Sequence, residues 1–131
     1  MPKRRKPVPI APGEWTEDDL LKNLRELAHL FGWRFWHIHD SRRQTRQGGE
    51  IVFVGDPDIA GFPDVVMVKG PWILFAELKG RNRWPTDEQW VALYELVEVA
   101  EANPYVEVFL LHSHVDDDFE LIAEKLSTTR Y

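Results

Sequence analysis

Two near-continuous apolar runs, Asp64-Val-Val-Met-Val-Lys69 and Trp72-Ile-Leu-Phe-Ala-Glu-Leu-Lys79, flank the turn pair Gly70-Pro71. Runs without polar alternation belong to strands covered on both faces, so this segment predicts a β-hairpin at the centre of a sheet. Such a hairpin obliges the rest of the chain to supply a cover on each side. The second run also ends on charge: Glu77 follows Ile73-Leu-Phe-Ala76 in a strand that should be central. Burying that carboxylate is costly unless a partner or a metal balances it.

The flanking segments have the periodicity the hairpin needs. Thr16 is a good N-cap, followed by Glu17, Asp18 and Asp19 in a first turn favoured by the helix dipole. Leu20, Leu24, Leu27, Ala28 and Phe31 keep helical spacing, and Gly32 is the expected stop. Trp33 to His39 reads as a first strand, rich in aromatic residues. Asp40 to Gly61 is a long polar stretch in which Ile51-Val-Phe-Val54 suggests a small protruding hairpin. A second helix runs from Thr86 to about Ala102 and stops at Asn103-Pro104. Tyr105 to His112 alternates as a further strand, and Asp116-Asp-Asp118 is expected to cap a last helix. The order is αβββαβα, with the last strand joining the hairpin in parallel through its crossover helix. The expected architecture is an α/β fold with one mixed four-stranded sheet flanked by helices.

Length and composition narrow the function classes. The 131 residues suit one domain, here residues 15–131, preceded by a flexible basic tail over residues 1–14. With no cysteine, a disulfide scaffold, a thiol nucleophile and a Cys-type zinc site are excluded. No apolar run reaches about 18 residues, and no apolar signal segment follows the basic start, so a cytoplasmic protein without a membrane partner is expected. The net charge of −6 is unevenly spread. Residues 1–86 carry 14 basic and 11 acidic side chains, whereas residues 87–131 carry 2 and 11. Lys3 to Lys6, then Arg42, Arg43 and Arg46, then Lys79, Arg81 and Arg83 form local basic clusters. Local positive charge on an acidic protein is compatible with phosphate binding, because screening acts over about 8–10 Å.

Side chains alternate along a strand, so Glu77 and Lys79 share one face, and Asp64 begins the neighbouring strand of the same hairpin. The 13-residue separation of Asp64 and Glu77 suits two short strands and a turn that bring them level. Two carboxylates meeting there suit Mg²⁺ or Mn²⁺, and an adjacent lysine can orient a water for phosphodiester hydrolysis. Asp58, in the local duplication Gly55-Asp-Pro-Asp58 and Gly61-Phe-Pro-Asp64, competes with Asp64. Asp64 is preferred because it runs directly into Val65-Val-Met-Val68. The guanidinium groups of Arg42 and Arg43, with Arg81 and Arg83 beyond the lysine, suit phosphate oxygens. Gln89 completes a capping box with Thr86. Trp84 is expected under the second helix rather than exposed to a base, and the six tryptophans are read mostly as core.

Asp64 followed by Glu77-Leu78-Lys79 resembles the PD-(D/E)xK nuclease motif. The fuller series, Thr16-Glu17, Leu27-Ala28, Gly32-Trp33, His37-Ile-His-Asp40-Ser41-Arg42-Arg43, Gly61-Phe-Pro-Asp64, Phe75-Ala-Glu77-Leu-Lys79 and Thr86-Asp-Glu-Gln89-Trp90, resembles the VRR-NUC branch in its small phage-type form. The resemblance implies a restriction-endonuclease-like core and a Mg²⁺- or Mn²⁺-dependent endodeoxyribonuclease. It implies Asp64, Glu77 and the Leu78 carbonyl as metal ligands, with Glu17 an additional acidic group near the ion. Lys79 would position the attacking water and Gln89 would point at the same site. His37, Asp40, Ser41 and Arg42 would line the site or contact DNA. Some relatives resolve Holliday junctions, which makes branched DNA a candidate substrate and a two-fold homodimer the natural form. Two departures stand out: a long stretch between Arg43 and Gly61, and Leu111-His-Ser-His114 where an Arg-Pro pair is common. The alternatives are a catalytically weak DNA-binding module of a larger machine and a sequence-specific restriction-type nuclease.

Overall fold

The structure is a computed structural model that describes residues 15–38, 43–47, 50–54 and 58–130. The expected basic tail, together with His39, Asp40, Ser41 and Arg42, lies outside the described residues. The chain runs α1 (Glu17–Leu30), β1 (Arg34–His37), β2 (Arg43–Gln47), β3 (Glu50–Val54), β4 (Val65–Lys69), β5 (Trp72–Lys79), α2 (Asp87–Ala102), β6 (Val106–His112) and α3 (Asp116–Thr128). It is an α/β fold with a mixed four-stranded sheet in the order β1-β4-β5-β6 and a separate β2-β3 hairpin. β1 and β5 each pair antiparallel with β4, whereas β6 runs parallel to β5, as a crossover through α2 requires. The β2-β3 hairpin pairs Ile51 to Val54, the run that suggested it, with Arg43 to Arg46.

Local sequence chemistry sets the helix starts. Thr16 accepts the Asp19 backbone N–H while the Asp19 carboxylate accepts that of Thr16, a complete capping box at 3.1 and 3.0 Å. Gly32 adopts φ 81° just beyond α1, where a side chain would be strained. α3 departs from expectation. Its N-cap is Val115, with no side-chain capping bond, and Asp118 instead accepts the His112 backbone N–H at 2.8 Å. That acidic run therefore ties the helix to the end of β6 rather than capping it.

Leu20, Leu24 and Ala28 of α1 and Ile122 and Leu126 of α3 pack with Val65, Met67, Leu74, Ala76, Leu78 and Leu111 in one buried cluster. The Trp33 indole N–H donates to the Leu126 carbonyl at 3.0 Å, and Lys69 donates to the carbonyls of Phe31 and Thr129. Lys69 thus satisfies orphan acceptors at the ends of both helices with a favourable charge. α2 packs on β6 and covers part of the opposite face of the sheet. Gly61, ahead of β4, approaches the first turn of α2 closely: at φ 82°, an added Cβ would stand 2.5 Å from the Glu88 carbonyl oxygen.

Candidate active site

The site forms where β4 begins and β5 ends. Val65 pairs with Ala76, so the ladder continued by one residue sets Asp64 opposite Glu77 on the same face. That face is opposite the α1-α3 core, because Val65, Ala76 and Leu78 alternate with Asp64, Glu77 and Lys79. Asp64 is anchored across the hairpin: its Oδ2 accepts the Leu78 backbone N–H at 2.9 Å. Leu78 is buried in the core, which leaves its main chain for the site.

Glu77 is 0% exposed and Lys79 4%. Two groups meet Glu77 Oε1: Lys79 Nζ at 3.4 Å and Gln89 Nε2, which donates at 3.2 Å. Gln89 holds two positions at once, since its Oε1 also accepts the Thr86 N–H at 2.9 Å in the capping box that starts α2. One amide therefore caps the helix and orients the carboxylate. Glu77 Oε2 is buried with no hydrogen-bond donor. The Glu77 carboxyl is pushed up to about 8, chiefly by burial, then by a hydrogen-bonding relation with Asp64 and by its charge; Lys79 pulls the other way. Two carboxyl groups in contact need a proton or a cation between them.

Glu17, in the first turn of α1, comes close enough to feel this pair. Burial and the charge of Asp64 raise its carboxyl, while Arg83 and Lys79 lower it. A Cβ at Gly80 would lie 3.5 Å from that of Glu17, so α1 begins directly over the end of β5. Among the described residues, no group of three or more His, Asp or Glu side chains is gathered for a metal ion. The donors that fit a hard divalent cation are the two facing carboxylates and nearby main-chain oxygen. The donorless, buried Glu77 Oε2 beside Asp64 is the observation that favours that fit.

The other expected site residues divide. His37 pairs with Val65, so it falls on the α1 face and not on the face of Asp64 and Glu77. Arg43 opens β2 opposite Val54. Arg81 and Arg83 are exposed beyond Lys79, with Arg83 near enough to act on Glu17. Asp58 lies exposed in a turn ahead of Gly61. Trp84, expected under α2, is 62% exposed, and Trp36 is also exposed; Trp15 and Trp33 are core.

Residues that sequence reasoning missed lie at the end of β6. His112 pairs with Lys79 in register and is buried. Its Nε2–H donates to the Arg83 carbonyl, holding the segment after β5. The only signal available was that His112 closes the strand parallel to the one carrying Lys79. No family model matches this chain, and no curated protein or solved structure is significantly similar to it.

Proposed function

We propose that this protein is a divalent-metal-dependent DNA endonuclease with a PD-(D/E)xK core of the VRR-NUC type. One observation carries the reading: Asp64 and Glu77 face each other across the β4-β5 ladder with Lys79 beside them, and Glu77 is wholly buried with one oxygen lacking a donor. Asp64, Glu77 and the Leu78 carbonyl would hold Mg²⁺ or Mn²⁺, with Glu17 as a more distant acidic group. The bound cation would polarise a phosphate oxygen and lower the pKa of a coordinated water.

The chain's own groups do the rest. Lys79 orients the attacking water and offsets negative charge growing on the phosphate. Gln89 fixes the Glu77 side chain. Arg81 and Arg83 meet neighbouring phosphates, and Arg42 and Arg43 are further phosphate-binding candidates from the sequence. Branched DNA is the candidate substrate, cut by a homodimer that places two nicks symmetrically, and the cytoplasm is the compartment proposed. No helix among the described residues is long and apolar enough to cross a membrane.

The test is incubation with supercoiled plasmid and with a synthetic four-way junction, in Mg²⁺, Mn²⁺ or EDTA. Cleavage should need the metal and fall about 100-fold or more in Lys79→Ala. Undiminished cleavage by that variant would refute the site. Binding without cleavage under every metal would replace the enzyme with a binding module, and cuts at one fixed sequence would indicate a restriction-type nuclease.

A further inference from the structure

The five residues after Lys79 form a built projection. The Arg83 backbone N–H closes a turn onto the Gly80 carbonyl at 3.2 Å, and Asn82 takes φ 62°, a left-handed conformation that Asn tolerates better than most residues. His112 pins the far side of the turn through its Nε2–H to the Arg83 carbonyl. A carbonyl can only accept, so the ring proton sits on Nε2. The Trp84 ring then rests against His112, with centroids 4.8 Å apart, and His114 meets the other ring edge-on at 3.9 Å. His112 is itself tied down, because its backbone N–H donates to Asp118 and the next residue, Ser113, donates to the Lys79 carbonyl.

The result is an aromatic surface packed against His112 that still leaves Trp84 62% exposed. It stands between two exposed arginines and the start of α2, five residues from Lys79 and on the strand-end that carries Glu77. A tryptophan left in water is not unusual by itself. One that packs against a buried histidine, on a cationic turn leading out of the site, has the two parts of a single-strand platform: charge for the backbone and an exposed π-face for a base. A base inside a regular duplex is stacked on its neighbours and offers no free face, so only an unpaired or extruded one can use it.

We infer that Trp84 is a base-stacking platform, and that the preferred substrate carries an unpaired nucleotide beside the scissile phosphate. This rests on the nuclease reading for the word scissile, but the stacking contact stands apart from it. Two measurements separate them. In the first, kcat/KM is compared for a fully paired duplex and the same duplex with unpaired nucleotides at one position. The unpaired-to-paired ratio should fall about 5- to 150-fold in Trp84→Ala and much less in Trp84→Phe. A ratio unchanged in Trp84→Ala would overturn the inference.

In the second, Ca²⁺ replaces Mg²⁺, and an oligonucleotide with one unpaired 5-iodouracil is irradiated on the intact protein. The cross-link should map to Trp84 by mass spectrometry and vanish when the same base is paired. Cross-linking at Trp84 together with no hydrolysis of any substrate in Mg²⁺ or Mn²⁺ would sustain the platform and discard the enzyme. Hydrolysis with cross-links only elsewhere would discard the platform and leave the enzyme. His112→Gln, which removes the ring that Trp84 packs against, should lower both the ratio and the cross-link yield.

Discussion

At the scale of single residues, Glu77 carries the strongest consequence. In the unfolded chain its carboxyl titrates near 4.5, and in the folded protein near 8. Between those values the folded state holds a proton that the unfolded state has released. The group's contribution to stability is therefore complete below about 4.5 and is lost as pH rises through about 8. Metal-free protein should melt at progressively lower temperature from pH 5 to pH 8.5, by roughly 5 °C or more. Glu77→Gln, which cannot ionise, should flatten that slope. An identical slope in the variant would place the titration elsewhere. Gln89 offers a second reading at this scale, because one side chain serves α2 and Glu77 together. Gln89→Ala should cost about 1 kcal/mol in urea unfolding from the lost cap, and should also lower kcat by freeing Glu77. Thr86→Ala separates the two, since it removes the cap and keeps the amide on Glu77; its kcat should stay closer to wild type.

At the scale of elements, Gly61 is the hinge between chain direction and chemistry. Its φ of 82° and the 2.5 Å approach to the Glu88 carbonyl leave no room for a side chain. Gly61→Ala should destabilise the protein by about 1–3 kcal/mol in urea and push the first turn of α2, with Gln89, away from Glu77. A variant as stable as wild type would show that the contact yields without cost. The elements were largely legible beforehand because their signals are local. The Thr-x-x-Asp and Thr-x-x-Gln caps, the Gly70 turn and the two apolar runs each report on a few neighbouring residues. What stayed hidden depends on register between segments distant in sequence. Nothing near His37 reveals that it pairs with Val65, so its face could not be read. The acidic start of α3 looked like a cap, but Asp118 is drawn to the end of β6, a strand whose position the sequence does not state. Trp84 was misplaced for the same reason: its ring packs on a histidine 28 positions later and stays 62% exposed.

For the whole molecule, the sheet brings together what the chain keeps apart. α1 delivers Glu17, the β4-β5 hairpin delivers Asp64, Glu77 and Lys79, and α2 delivers Gln89 to one end of the same sheet. The motif residues were visible because strand alternation alone sets Glu77 beside Lys79. The convergence of Glu17 and Gln89 on them came from the resemblance and is a matter of packing. A centre built across three elements should couple ion binding to global stability, since a ligand that binds only the folded state stabilises it. At 100 times its dissociation constant, such an ion adds about 2.7 kcal/mol, which for a chain of this length raises Tm by roughly 10 °C. The proton and the cation compete for Glu77, so the rise with Mn²⁺ should be small near pH 6 and grow toward pH 8.5. Proton release on binding, measured by calorimetry in buffers of different ionisation enthalpy, should shrink over the same interval. A Tm rise of equal size at every pH, or one that survives in Glu77→Gln, would locate the ion away from the paired carboxylates.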